Sequence, residues 1–310
     1  MTEVIGIDLG GTAIKLGRFT EDGTCLQSLT VPTPQPAYPD DTIDMMTYAI
    51  EKLAPGLANI NAIGVGTPGP ADAVGRVAKV AINLKGWIDI PVATLIQSRT
   101  GVPTIVGNDA NCAGLGEKWL GAGRNYRNLV LLTLGTGVGG AVFLDGVLFT
   151  GHAGSAGELG LIAFDPDGHP CNSGNNGSLE QFLSGQAIRR LTGKEPKELG
   201  ILAAAGDRDA LEFWNNYGRN LGIGLTSIVY VLTPEVAIIG GGISASAKYF
   251  LPAAQQEIDR RVMATSRPGL KLIEAQLGNH AGIAGAAKLA WYLLDRQQAT
   301  GGRGDGGTGR

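Results

Sequence analysis

The chain has 310 residues, of which 44% are hydrophobic and 17% are charged. A chain of this length can bury one large core or two moderate ones, so a disordered protein is excluded. The 25 basic and 28 acidic side chains give a formal net charge of −3, which argues against a nucleic-acid partner. Glycine is frequent, with 49 residues against about 7% in average proteins. This excess predicts turns and ligand loops that are lined by backbone.

The three cysteines, Cys25, Cys112 and Cys171, are an odd number and lie far apart in the sequence. They argue against a disulfide framework and predict a reducing, cytoplasmic environment. We expect no export signal, because an acid stands near the start, where a signal peptide needs basic residues. The longest apolar stretch, 221–232, is shorter than the about 20 residues of a membrane span. It predicts a buried helix and no membrane partner.

The predicted elements begin with a hairpin, in which two apolar strands flank a polar Gly-Gly-Thr turn at 10–12. Strands are predicted at 4–9, 13–19, 60–65, 104–106, 128–134, 141–144, 236–239 and 270–273, and helices at 42–53, 109–120 and 283–294. A second hairpin, around the Gly-rich turn 135–140, repeats the order of apolar strand, Gly/Thr turn and apolar strand. The repeat predicts two lobes built on the same plan. The Gly-rich tail 300–310 is predicted to be disordered.

Three glycine loops are candidates for phosphate binding, since glycine lets backbone N–H groups approach an anion. They lie at 8–12, 134–140 and 240–242, and no Walker A motif occurs in the chain. The second loop matches the G-x-G-x-x-G spacing of dinucleotide-binding folds. That fingerprint must open a helix, whereas a return strand is predicted here, so we disfavour it. Ordinary tight turns without a ligand remain an alternative for each loop taken alone.

Two hairpin turns would offer backbone donors and the hydroxyls of Thr12 and Thr136 to a triphosphate. Asp8, at the end of the first strand, is a candidate to hold Mg²⁺, usually through water. Lys15 is placed to balance phosphate charge. The sequence therefore favours a triphosphate ligand with Mg²⁺.

Seven segments occur in the order and with the residue types of one known family. They are Ile-Asp-Leu-Gly-Gly-Thr at 7–12, Gly-Thr-Pro-Gly-Pro at 66–70, Asn-Leu-Lys-Gly-Trp at 83–87, Asn-Asp-Ala-Asn at 108–111, Leu-Gly-Thr-Gly-Val-Gly-Gly at 134–140, Gly-Glu-Leu-Gly at 157–160 and Gly-Gly-Gly-Ile at 240–243. Together they resemble the ROK family of bacterial sugar kinases, which includes glucokinases and related sugar-responsive repressors. The resemblance extends to about residue 295.

The resemblance implies an α/β, two-lobed actin and hexokinase-like (ribonuclease H-like) fold with a duplicated core and an active-site cleft between the lobes. We expect residues 1–113 and 285–299 in the small lobe and 114–284 in the large lobe. A homodimer is implied by the resemblance alone. Closure of the lobes on the sugar is expected by analogy with the fold.

The resemblance also implies a role for individual residues. Asp109 matches the catalytic aspartate, the base that accepts the proton of the sugar hydroxyl; its alternative role is a helix N-cap. The predicted sugar-binding residues are Gly69, Asn83, Asn108, Glu158 and Glu180. The predicted ATP and phosphate-binding residues are Asp8, Gly10, Gly11, Thr12, Lys15, Gly135, Thr136, Gly137, Gly240, Gly241 and Gly242. Asn83 and Asn108 could instead form turns. Glu180 could instead be an exposed acid at the start of a helix.

One segment departs from the family pattern. Many members bind zinc through a His after the G-E-x-G element and three Cys in C-x-C-G-x-x-G-C-x-E, but here those positions are Leu161, Cys171, Ser173 and Ser178. A lone cysteine cannot complete a tetrahedral N/S site. We therefore predict no zinc, and a loop from 164 to 177 that is held by hydrogen bonds and packing. Because Leu161 replaces a histidine that also contacts the sugar in zinc-bearing relatives, we expect sugar preference to be altered or broadened.

The function that these residues predict is ATP-dependent phosphorylation of a hexose, with glucose first. Mannose, fructose and N-acetylated hexosamines are alternative acceptors, and polyphosphate is an alternative donor. A sugar-sensing repressor is disfavoured because the first hairpin is predicted to begin at residue 4, which leaves no room for a helix-turn-helix. A non-catalytic relative is disfavoured because Asp8, Asp109 and Glu158 are all present.

Overall fold

The computed structural model describes residues 2–81 and 84–301, and within them it contains helices and strands in mixed order. The strands are β1 (Glu3–Leu9), β2 (Ala13–Phe19), β3 (Cys25–Pro32), β4 (Ile60–Thr67), β5 (Ala78–Val80), β6 (Ile88–Ile90), β7 (Thr104–Asn108), β8 (Leu129–Leu134), β9 (Val138–Leu144), β10 (Val147–Leu148), β11 (Val236–Gly240) and β12 (Lys271–Glu274). The helices are α1 (Pro39–Leu53), α2 (Val92–Thr100), α3 (Asp109–Leu120), α4 (Glu180–Leu183), α5 (Gly185–Thr192), α6 (Pro196–Ala204), α7 (Arg208–Leu232), α8 (Ala247–Arg261) and α9 (Ala281–Gly301).

The chain forms two compact units. The first comprises the residues up to 120, residues 150–156 and the chain from 280 onward; the second comprises 121–149 and 157–279. These limits differ from the predicted lobe limits of 113/114 and 284/285, which fall inside α3 and α9. Each of these helices lies in the first unit over its whole length, because a helix packs as one continuous element.

The two units contain sheets of the same design. In the first, the strand order is β3-β2-β1-β4-β7, and in the second it is β10-β9-β8-β11-β12. In each sheet the first three strands are antiparallel and the last three are parallel. Short turns join the antiparallel strands, whereas the parallel strands need longer, helical connections. The predicted duplication of the core is confirmed.

Helix α9 packs directly on the sheet of the first unit because glycines remove the side chains between them. A Cβ atom at Gly6 of β1 would overlap the carbonyl oxygen of Ile283, and one at Gly64 of β4 would overlap that of Ala286. On another side of the same helix, a Cβ at Gly285 would overlap the carbonyl oxygen of Cys112 in α3. The ends of β1, β7 and α3, which carry predicted site residues, are therefore supported by one helix.

The core of the second unit contains α7 and α8 beside its sheet. Trp214 and Phe250 are fully buried, and the buried hydroxyl of Tyr217 donates to the carbonyl oxygen of Leu183 at 2.7 Å. The predicted buried helix at 221–232 is the second half of α7. It is buried on one face only, since Val231 is 79% exposed. Among the described helices, none has the length and apolarity that crossing a membrane would require.

Several element limits differ from the predictions by two residues or more, among them those of β9 and α9. Strand β9 begins at Val138, three residues before the predicted start, so the second hairpin has a tighter turn. Helix α9 extends through Gly301 and includes the first two residues of the predicted disordered tail. The rest of that tail, 302–310, lies outside the described residues, as does the predicted sugar-binding residue Asn83.

Candidate active site

The carboxylate of Asp8 lies at the carboxyl end of β1, beside the first hairpin turn. Asp8 pairs with Lys15 across β1 and β2, and the Lys15 Nζ is 4.0 Å from Asp8 Oδ2. Burial raises the pKa of the Asp8 carboxyl, and the charge of Lys15 partly offsets this rise. A Cβ atom at Gly282, in the first turn of α9, would lie 2.8 Å from Asp8 Oδ2. The helix thus approaches the carboxylate closely because residue 282 is glycine.

The Gly10–Gly11–Thr12 turn is fixed through its carbonyl oxygens. Thr33 Oγ1 donates to the Gly10 oxygen at 2.7 Å, and Gln35 Nε2 donates to the Gly11 oxygen at 2.8 Å. Neither residue was predicted from the sequence, although each is polar and follows β3, which pairs with this hairpin. The turn itself remains partly or fully exposed.

Gly69, Asn108 and Asp109 are joined by hydrogen bonds at the carboxyl ends of β4 and β7. Asn108 Nδ2 donates to the Gly69 carbonyl oxygen at 3.0 Å and to Asp109 Oδ1 at 3.1 Å. Asn108 Oδ1 accepts from the backbone N–H of Asn111 at 2.9 Å, which caps the first turn of α3. Asp109 Oδ1 also accepts from the Ala110 N–H at 2.7 Å. Asn108, rather than Asp109, therefore caps the helix, and Asp109 has one oxygen fixed by two donors.

The buried thiol of Cys112 lies near the two predicted site aspartates, Asp8 and Asp109. Cys112 is 1% exposed, and burial first, then the charges of Asp8 and Asp109, raise the pKa of its thiol. The thiol is therefore protonated at neutral pH. Both carboxylates act on this one group, so the structure brings Asp8 and Asp109 into the same neighbourhood. From the sequence, Cys112 was expected only to form no disulfide, and no place near the site was predicted for it.

In the second unit, the loop Gly240–Gly241–Gly242 lies against the end of β8, directly before the hairpin turn Gly135–Thr136–Gly137. Gly240 pairs with Thr133 across β11 and β8. Gly241 has a φ of +84°, and a Cβ atom there would overlap the backbone of Leu134. Both the backbone conformation and the close contact therefore require glycine at 241.

Glu158 and Glu180 also come together in the second unit. Burial raises the pKa of the Glu158 carboxyl, and the charge of Glu180 raises it further. Glu180 is the first residue of α4, and its Oε2 accepts from the backbone N–H of Val138 at 2.9 Å. Glu180 is thus not the exposed helix-start acid of the alternative interpretation. The Glu180 carboxylate therefore binds the first residue of β9, next to the 135–137 turn, and its charge also acts on Glu158.

The segment that departs from the family's zinc motif forms a loop stabilised by backbone hydrogen bonds. The N–H groups of Phe164 and Asp165 both donate to the Gly177 oxygen at 2.9 Å. Ser173 Oγ donates to Cys171 Sγ at 3.3 Å. Burial raises the pKa of the Cys171 thiol, but the hydrogen bonds from Ser173, together with the nearby Ser178 hydroxyl, outweigh it, and the net pKa is lowered. Within 2–81 and 84–301, no three or more His, Cys, Asp and Glu side chains form a group able to hold a metal ion.

The comparisons with known proteins agree on one family over nearly the whole chain. The sequence profile of the ROK family matches residues 4–292. A glucokinase from Thermotoga maritima is 33% identical over 93% of this chain and 96% of its own length. A glucokinase from Streptomyces coelicolor is 34% identical over 92% of this chain and 96% of its own length.

The fold is shared with solved structures of the same family. A ROK family glucokinase from Streptomyces griseus, solved in complex with glucose and AMPPNP, is similar with a TM-score of 0.82 and 31% identity. The match covers 94% of this chain and 99% of that one. The α/β fold of the actin and hexokinase type is thereby confirmed. The chain belongs to the ROK family.

Proposed function

We propose that the protein is a sugar kinase that transfers the γ-phosphoryl group of ATP to the 6-hydroxyl of a hexose, with glucose as the first candidate. The observation that carries the proposal is the fixed carboxylate of Asp109 at the start of α3. Its Oδ1 accepts from Ala110 N–H and from Asn108 Nδ2. The glucokinases to which the chain is similar support glucose as the acceptor.

Asp109 acts as the general base in this proposal. Phosphoryl transfer needs positioning, charge neutralisation and a group that accepts the proton of the attacking hydroxyl. With Oδ1 held by two donors, the carboxylate has a defined orientation before substrate binds, and it accepts the sugar proton. A positioned base contributes about 10²- to 10⁴-fold to the rate.

The sugar is held by residues that can accept from or donate to hydroxyl groups. Both N–H bonds of the Asn108 amide are made within the protein, to Gly69 and Asp109, and its oxygen accepts from the Asn111 N–H, so Asn108 can offer the sugar the second lone pair of that oxygen. Glu158 and Glu180 supply carboxylate oxygens, which suit pairs of neighbouring hydroxyls. Asn83 completes the proposed set. Gly69 lets the backbone approach the sugar.

The triphosphate is proposed to bind at the turns 10–12 and 135–137, with Lys15 nearby to balance its charge and the loop 240–242 beside the adenosine. Asp8 fits a magnesium ligand, because a hard carboxylate oxygen at a strand end is the donor that Mg²⁺ takes together with water and phosphate oxygens. When bound, Mg²⁺ neutralises charge on the transferred phosphoryl group. Burial of Asp8 strengthens its interaction with a cation, since the local dielectric is low.

The experiment is release of ADP from Mg-ATP by the purified protein over a panel of glucose, mannose, fructose, N-acetylglucosamine and N-acetylmannosamine. We expect sugar-dependent turnover that is fastest with glucose. A second series replaces ATP with polyphosphate and identifies the product by ³¹P NMR. Turnover with polyphosphate but not with ATP would change the donor, and the absence of turnover with every sugar from folded protein would contradict the proposed function.

A homodimer and a cytoplasmic location complete the proposal. Both rest on the family resemblance, and the absence of disulfides supports the second, since all three cysteines are free. Sedimentation equilibrium of the purified protein tests the dimer, for which we expect twice the chain mass of 32.0 kDa.

A further inference from the structure

The hairpin turn 135–137 is held at its two ends by the first residues of α4 and α5. On one side, the backbone N–H of Gly185 donates to the Gly135 carbonyl oxygen at 2.7 Å. On the other side, the Val138 N–H donates to Glu180 Oε2 at 2.9 Å. The first of these bonds is between backbone groups and does not depend on side-chain identity. The second depends on one carboxylate.

The carboxylate of Glu180 also packs against the turn. A Cβ atom at Gly137 would overlap Glu180 Oε2. Gly137 has no positive φ, so a larger residue here would meet no backbone strain, but the Glu180 carboxylate would have to move away from the turn. A hydrogen bond to an ionised acceptor is stronger than one between neutral groups, so Glu180 restrains the position of the turn.

The second carboxylate oxygen of Glu180, Oε1, lies near the thiol of another side chain, that of Cys171. Oε1 is 4.0 Å from Cys171 Sγ, whose thiol is directed to it, and the Glu180 charge acts on Glu158. One carboxylate therefore contacts the turn through Oε2 while it stands beside a proposed sugar ligand.

We propose that Glu180 is a positioning residue for the 135–137 turn and that it makes nucleotide affinity depend on sugar binding. This inference rests on the proposed function, which assigns phosphate to the turn and sugar to Glu180. A sugar hydroxyl that donates to the carboxylate fixes its rotamer, and the fixed carboxylate holds the Val138 N–H and the turn in place. By linkage, the nucleotide must strengthen sugar binding by the same factor.

The test is the Kd of ADP, measured by calorimetry without sugar and with saturating glucose, for the wild type, Glu180→Ala and Glu180→Gln. Glu180→Ala removes the acceptor of the Val138 N–H. We expect the sugar-free Kd to rise at least about fivefold, the low end of typical coupling, and the effect of glucose to vanish. Glu180→Gln retains an oxygen that can accept from Val138, so we expect it to restore most of the sugar-free affinity while the KM for sugar rises.

Glu235→Ala is the matched control. Glu235 Oε2 accepts from the N–H groups of Arg127 and Asn128, both at 2.7 Å, just before β8 begins at Leu129. The substitution removes the same kind of bond, from a backbone N–H to a carboxylate, at the end of the β8–β9 hairpin far from the turn, so we expect an unchanged Kd for ADP. If Glu235→Ala weakens ADP binding as much as Glu180→Ala does, general loosening of the strand explains both results and the inference is overturned.

A second pair of variants tests the contact from the other side. Gly137→Ala forces the carboxylate away from the turn, so we expect it to weaken ADP binding in the wild-type background and to add little in the Glu180→Ala background. Equal effects in both backgrounds would overturn the proposal, as would a Glu180→Ala protein that binds ADP normally and loses only sugar affinity. A wild type that binds ADP but phosphorylates no hexose would contradict the proposed function alone, because the sugar-free Kd values still decide the role of Glu180. Failure of the wild type to bind ADP would overturn both.

Discussion

Gly69→Ala is expected to damage both stability and catalysis, because two features of the first unit require glycine there. Gly69 has a φ of +77°, which costs an L-residue about 1–2 kcal/mol. In addition, the new Cβ would overlap the carbonyl oxygen of Val80. The backbone must move to relieve this overlap, and the Gly69 oxygen that accepts from Asn108 moves with it.

The effect on the rate follows from the hydrogen bonds that continue from Gly69. Asn108 donates to both Gly69 and Asp109, so a shift of the loop reorients the proposed base. A misplacement of about 1 Å can cost about 10²-fold in rate. We expect kcat/KM for glucose to fall by about that factor and the free energy of unfolding in urea to fall by more than about 2 kcal/mol, the upper value of the φ cost alone.

Gly101→Ala is the matched control for this experiment. Gly101 has a similar φ of +71°, but no atom lies within 4 Å of its Cβ position. It should lose only the about 1–2 kcal/mol of the backbone cost and retain kcat/KM. If the two variants have equal stability and both retain wild-type kcat/KM, the connection from Gly69 through Asn108 to Asp109 does not exist in the working enzyme.

Three further changes give separable results. Hydrogen bonds, with that from Arg260 first, lower the pKa of the Glu257 carboxyl from 4.5 to about 2. The stabilisation that they provide is therefore complete above pH 4.5 and is lost as pH falls towards 2. Glu257→Gln should flatten the acid limb of the free energy of urea unfolding against pH, and an unchanged limb would refute this assignment. The indole Nε1 of Trp87 donates to the Ala37 carbonyl oxygen at 2.9 Å, and Trp87→Phe removes this donor. The substitution should lower the free energy of urea unfolding by about 1–3 kcal/mol. A cost near zero would mean that the bond does not form in solution. Elemental analysis should find far less than one zinc per chain, and EDTA should leave Tm unchanged. About one zinc per chain would contradict the prediction that Cys171 alone cannot complete a zinc site.

Apolar periodicity was sufficient to predict most of the core, because burial of alternate residues determines where strands form. Both hairpins and the duplicated sheet follow from such patterns. The limits of β9 and α9 were predicted less well. Val138 lies in a run of glycines that masks the strand, and α9 is held by close contacts with glycines that belong to distant segments.

In the site, too, local patterns predicted some features, whereas features that depend on contacts between distant segments were not predicted. Asp8 and Asp109 were predicted from their places at strand ends, and the structure brings both near Cys112. The bond from Val138 to Glu180 could not be predicted, since the two residues are far apart in sequence and a backbone N–H carries no sequence signal. The role of Asn108 as the cap of α3 was also missed, because Asp109 is an equally good cap by residue type.

The central claim is that Asp109 is the base for phosphoryl transfer to a hexose. The most direct test compares the wild type with Asp109→Asn in two measurements, kcat for glucose with Mg-ATP and the Kd of glucose. An amide oxygen at residue 109 can still accept from Ala110 and Asn108, so the fold and the sugar affinity should be retained. We expect kcat to fall by at least about 10²-fold with the Kd of glucose nearly unchanged. A folded Asp109→Asn protein that binds glucose and turns over at the wild-type rate would contradict the account.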